Sequence, residues 1–140
     1  MVCYQSLPLK GLQVLVVDSD PDSRYLLTML FEEYGVETIA AASAIEALEI
    51  LKQIKPDLLI SEIRLPNEDG YSLMDKVKAF ESGRHVHIPA LALTVYARED
   101  DRAHALSVGF EEYLPKPFDI DELLATVAGL TRQVHSEPTA

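Results

Sequence analysis

Short apolar runs alternate with longer amphipathic stretches along this chain, and the alternation repeats five times. The runs are Leu12 to Val17, Val36 to Ala41, Leu58 to Ile60, Ala90 to Leu93 and Glu112 to Leu114. Unbroken apolar character, as in Val14-Leu15-Val16-Val17 and Ala90-Leu91-Ala92-Leu93, predicts strands covered on both faces. A parallel sheet requires this, because its crossover helices lie on either side. The intervening stretches carry helix punctuation. Asp20 reads as an N-cap with Pro21 at the first helical position, ahead of Leu26, Leu27, Leu30 and Phe31, and Gly35 closes that helix. Ser43 with Glu46 forms a capping box before Ala47, Leu48, Ile50 and Leu51. Further helices are predicted from Gly70 to Phe80, from Arg98 to Val108 with Gly109 as the stop, and from the Asp119/Glu122 box through Leu130.

Five strands alternating with five helices predict an α/β domain with right-handed crossovers. At 140 residues an open doubly wound parallel sheet suits it better than a closed barrel. One domain is expected over residues 11–131, with residues 1–10 and 132–140 as tails. A formal charge of −11, with none of the 12 Lys and Arg clustered, excludes a phosphate-backbone role in binding DNA or RNA. The partner is therefore expected to be a protein. Hydropathy offers no membrane span and the first ten residues no signal peptide. The single cysteine, Cys3, fits a reducing compartment and an inert thiol, so a cytoplasmic location is expected.

In such sheets ligands sit beyond the carboxyl ends of the strands, which singles out Asp18, Ser19, Glu62, Thr94 and Lys116. Taken singly, each is an ordinary surface or strand residue. Together they fall on one edge of one predicted sheet. The segments that carry them are Val16-Val17-Asp18-Ser19-Asp20-Pro21, Ser61-Glu62-Ile63-Arg64-Leu65-Pro66, Leu93-Thr94-Val95-Tyr96-Ala97 and Tyr113-Leu114-Pro115-Lys116-Pro117-Phe118. In that order, the chain resembles a response-regulator receiver domain of two-component signalling over roughly residues 11 to 131.

The resemblance implies a flavodoxin-like fold with strand order 2-1-3-4-5, and a signalling module rather than an enzyme. It implies an acceptor aspartate at position 62, an acidic pair at positions 18 and 19, a switch hydroxyl at Thr94, a switch aromatic at Tyr113, a phosphate-pocket lysine at Lys116 and a cis Lys116-Pro117 bond. Two positions depart from the pattern. Serine at 19 is a poor ligand for a hard octahedral cation, so no cofactor is expected, or at most a weakened Mg²⁺ site at Asp18, Glu62 and the Arg64 backbone. Glutamate at 62 pushes its carboxylate about 1.5 Å beyond an aspartate's reach. There it is expected to accept from the Thr94 hydroxyl and the Lys116 ammonium, as a partial mimic of a phosphoryl group that would carry roughly −1.5 to −2 charge. Asp20, as an N-cap, is not expected to compensate for Ser19.

The expected function is that of an atypical single-domain regulator, or pseudo-receiver, phosphorylation-independent or biased to an active-like state by Glu62. The competing expectation is a competent receiver that accepts phosphoryl from a histidine kinase with Mg²⁺. The face made by the fourth helix, fifth strand and fifth helix is the candidate surface for a kinase or downstream protein, with homodimerisation through it left open. Output would pass to a separate protein if the chain is complete. His85-Val86-His87 lies in a predicted loop, 82–89, without a third ligand, so zinc is not expected; His104 and His135 are expected to face solvent.

Overall fold

In the computed structural model the described residues are 9–95 and 98–135. The expectations for Cys3 and for the side chain of His135, and the Tyr96-Ala97 part of the Leu93–Ala97 segment, lie outside what is described. Ten elements alternate: β1 (Gln13–Val17), α1 (Pro21–Glu32), β2 (Glu37–Ala41), α2 (Ala44–Leu51), β3 (Leu58–Ser61), α3 (Gly70–Arg84), β4 (Ala90–Thr94), α4 (Glu99–Val108), β5 (Glu112–Pro115) and α5 (Ile120–His135). All strand pairs are parallel, in the order β2-β1-β3-β4-β5.

Alternation along each strand divides the core into two layers. Val14, Val16, Leu58, Ile60, Leu91 and Leu93 turn to one face, under Leu27 and Phe31 of α1 and Leu123, Leu124 and Val127 of α5. Leu15, Val17, Leu59, Ala90 and Ala92 turn to the other, under α2, α3 and α4. Both faces of β1, β3 and β4 are therefore buried, which is why their sequences read as unbroken apolar runs. Among the described residues no helix is long and apolar enough to cross a membrane.

The capping signals act as read. The Asp20 carboxylate accepts the Asp22 N–H at 3.0 Å, Ser43 accepts Glu46 N–H at 3.2 Å, and Asp119 accepts Glu122 N–H at 3.0 Å. Two boundaries differ from expectation. Helix α3 runs to Arg84 rather than Phe80, and His85 stops it in the left-handed region at φ 54°. What extends it is Glu81, a buried carboxylate on the inner face of its last turn. Glu81 accepts the Ile88 N–H at 2.6 Å and pairs with Lys78 at 3.2 Å and His87 at 3.3 Å, fastening the helix end to the start of β4. Helix α5 continues past Leu130 to His135. Leu9, placed in a tail by its neighbours, is buried at 1 % exposure beneath α1.

Candidate functional site

Strand order reverses between β1 and β3, since β1 sends the chain outward to β2 on one side and β3 leads to β4 and β5 on the other. Val17 pairs with Ser61, so the next residue on each strand, Asp18 and Glu62, emerges side by side at that switch point. Both are buried acids, at 4 % and 6 % exposure. Thr94, fully buried, ends the adjacent strand β4, and its carbonyl accepts the Lys116 N–H at 2.8 Å. That bond places the Lys116 side chain beside the two carboxylates.

The Lys116 ammonium donates to Asp18 Oδ2 at 2.5 Å and to Glu62 Oε2 at 3.0 Å, with Ser23 Oγ at 3.4 Å. Burial by itself would lower the Lys116 pKa, but hydrogen bonds and charge attraction from Asp18 and Glu62 outweigh it and leave it raised. The other oxygen of Glu62 turns back on its own loop. Oε1 accepts the N–H of Ile63 at 2.8 Å and of Arg64 at 3.3 Å. Asp18 Oδ1 accepts the Asp20 N–H at 2.9 Å, while Arg24 anchors the loop through the Asp18 carbonyl at 2.7 Å.

Ser19 stands apart from this group, exposed on the loop after Asp18. Among the described residues no set of three His, Cys, Asp or Glu side chains is placed to hold a metal ion. Asp20 is committed to the helix, accepting from Asp22 N–H and from the Ser23 hydroxyl at 3.2 Å. The donor set present is thus two carboxylates already facing an ammonium, which does not match the three-acid set implied for Mg²⁺. His85 is exposed, and His87 sits between Glu81 and Glu111, with its two ring nitrogens on different carboxylates. That places the carboxylates on opposite sides of the ring, not around one ion. His104 is exposed yet packs against Tyr71, with ring centroids 4.0 Å apart and planes tilted by 44°.

The Lys116-Pro117 bond is cis, as implied. Tyr113 is buried at 5 % exposure, packed on the face where its strand neighbours are the small Ala90 and Ala92. Its hydroxyl is enclosed and has no hydrogen-bond partner among the described residues. The ring is turned into the core, with its hydroxyl out of water. Burial, followed by nearby acids, raises its pKa from 10.0 to about 12.

Because the folded Tyr113 keeps its proton where the unfolded chain releases it, stability present below pH 10 is lost as pH rises toward 12. Replacing Tyr113 by Phe removes a buried hydroxyl without orphaning any partner. The expected outcome is unchanged stability or a gain of up to about 1 kcal/mol near neutrality, with a shallower alkaline decline. Urea midpoints measured across that range check it; a loss of more than about 1 kcal/mol at pH 7 would reveal a partner for the hydroxyl.

Comparison with known proteins agrees with this architecture. The response regulator receiver domain family matches residues 14–128. An uncharacterized 14.6 kDa protein from the sodA1 3′ region of Leptolyngbya boryana is 44% identical over 119 residues, which cover 85% of this chain and 89% of that one. The DNA-binding dual master transcriptional regulator RpaA of Synechocystis sp. is 31% identical over 128 residues, covering 91% of this chain but 52% of RpaA. Among solved structures, the receiver domain of the Francisella response regulator 1452 superposes with a TM-score of 0.79 at 28% identity, covering 89% of this chain and 99% of that domain.

Proposed function

Because this chain belongs to the response regulator receiver domain family, whose members act as signalling modules of two-component systems, we propose that it works as a pseudo-receiver that relays by protein contact without phosphorylation. The observation that carries this reading is the placement of Glu62. Its buried carboxylate spans the Lys116 ammonium on one side and the amides of Ile63 and Arg64 on the other. Those donors are the groups a transferred phosphoryl anion would need, and the side chain in the acceptor position already holds them. A nucleophile so engaged is misplaced for in-line attack, and misplacement of about 1 Å costs on the order of a hundredfold in rate.

The inward Tyr113 fits an active-like bias, because the space it fills lies between β4 and α4 at the base of the proposed output face. That face, α4-β5-α5, carries a cleft of about 510 Å³ bordered by Arg102, Glu112, Leu114, Glu122 and Ala125. Its partner is a histidine kinase or a downstream protein in the cytoplasm. The bias is bounded by the difference in interaction free energy of the Glu62 carboxylate between the two states, and one charge with two oxygens interacts less than a phosphoryl group does. A competent receiver fed by a histidine kinase is the second reading, favoured by the retention of Asp18, Thr94 and Lys116 at the strand ends.

Incubation with a small-molecule phosphodonor and Mg²⁺, followed by intact mass, separates the two. The expected result is no adduct. A stoichiometric phosphoryl adduct on the wild-type chain overturns the pseudo-receiver reading and installs the second.

A further inference from the structure

Resting on the reading of Glu62 above, we infer that the Lys116 ammonium stands in for the divalent cation implied by the family, as the permanent counter-charge of the Asp18–Glu62 pair. Two carboxylates on adjacent strands of a parallel sheet, held at the same level by the Val17–Ser61 pairing, repel one another in a buried site. Such a pair requires a cation. The ammonium reaches both acids, at 2.5 and 3.0 Å, and directs itself at a third oxygen, Ser23 Oγ, at 3.4 Å. Its side chain is itself largely enclosed, at 17% exposure.

Formal charge shows why a dication adds nothing here. Asp18 and Glu62 against Lys116 sum to −1, and Mg²⁺ would turn that to +1. A third carboxylate at position 19 would make the sum −2, which one dication neutralises; the residue there is an exposed serine. Mg²⁺ also demands near-ideal octahedral geometry and parts with water reluctantly. The carboxylate oxygens already have partners, Glu62 Oε1 two amides, Asp18 Oδ1 one amide and the other oxygen of each acid the ammonium, so a dication would have to compete with Lys116 for them. The consequence is structural as well as ionic. Lys116 clasps the β5–α5 connection to the ends of β1 and β3 without calling on a bound ion.

The test uses MgCl₂ alone, titrated to about 10 mM, with amide shifts of residues 18, 19, 63 and 64 and the thermal midpoint as readouts; changing even an outer-shell group typically alters metal affinity by 10–100-fold. Wild type is expected to show no saturable shift and no change of midpoint. Ser19→Asp, on an exposed loop position that leaves Lys116 in place, is expected to bind at least about tenfold more tightly. Lys116→Met is expected to have a lower midpoint that Mg²⁺ now raises, because the acid pair has lost its own cation. Saturable millimolar binding by wild type at those amides overturns the inference, as does a folded Lys116→Met protein indifferent to Mg²⁺. If Lys116→Met does not fold, the wild-type and Ser19→Asp titrations decide. Wild-type binding of Mg²⁺ without uptake of phosphoryl sinks this inference and leaves the pseudo-receiver reading standing; uptake of phosphoryl sinks that reading itself.

Discussion

Ser19→Asp combined with Glu62→Asp turns this chain into a phosphoryl acceptor, with an initial rate of adduct formation from a small phosphodonor and Mg²⁺ at least about a hundredfold above wild type. Each change repairs a different fault. Shortening residue 62 withdraws the carboxylate by about 1.5 Å and frees the Ile63 and Arg64 amides from Oε1, so that they can meet an incoming oxygen. Placing a carboxylate at 19 supplies the third negative charge that a dication needs beside Lys116. Either change alone leaves the other fault, so the two are strongly non-additive. Glu62→Asp has a nucleophile without a metal site, and Ser19→Asp a metal site facing an occupied pocket. Intact mass followed over time for all four proteins gives the full cycle. A double variant no faster than wild type would mean that the pocket fails for a reason outside positions 19 and 62, and the charge argument would go with it.

The residues of the pocket were legible in the sequence because they follow apolar runs whose length and continuity are dictated by burial on both faces. Asp18, Glu62 and Thr94 each come directly after or at the end of such a run, and a parallel sheet leaves them nowhere to go but its carboxyl edge. What the sequence does not display is the turn of Glu62 Oε1 back onto its own loop. That contact depends on one side-chain rotamer and on a loop conformation fixed by Asn67 at φ 69° and by Gly70. The end of α3 was obscured for a related reason. Ser82 and Gly83 read locally as loop, yet Glu81 continues the stripe of Leu73, Met74 and Val77, pairs with Lys78 one turn back on the same helix, and is held by His87 and Ile88, which the chain brings back to it after the helix ends. A charged residue in register with an apolar stripe is the signal that would have found it. Leu9 likewise looks like tail by its neighbours and is core by its contacts.

Gly70→Ala is expected to lower stability by about 1–2 kcal/mol and to disturb the Glu62 contacts at the same time, although alanine is the better helix former. Gly70 opens α3, and its N–H donates to the Ile63 carbonyl at 2.7 Å. A Cβ there would lie 2.7 Å from the Glu62 carbonyl oxygen and 3.0 Å from the Ile63 Cα. Both are backbone atoms of the acceptor loop, so relief requires moving the loop or the helix. The helix-propensity gain is at most about 1 kcal/mol and is smallest in the first turn, whereas forcing atoms into a packed site costs typically about 1–3 kcal/mol; the clash wins. Gly83→Ala, in the same helix but with nothing within 4 Å of its Cβ, isolates the propensity effect and is expected to stabilise by up to about 1 kcal/mol. Urea midpoints for the two variants should therefore move in opposite directions. The amide signals of residues 63 and 64 should shift in Gly70→Ala and stay put in Gly83→Ala. Gains in stability for both substitutions would show that the acceptor loop yields freely, and a loop that yields freely could not hold Glu62 against its own amides and Lys116.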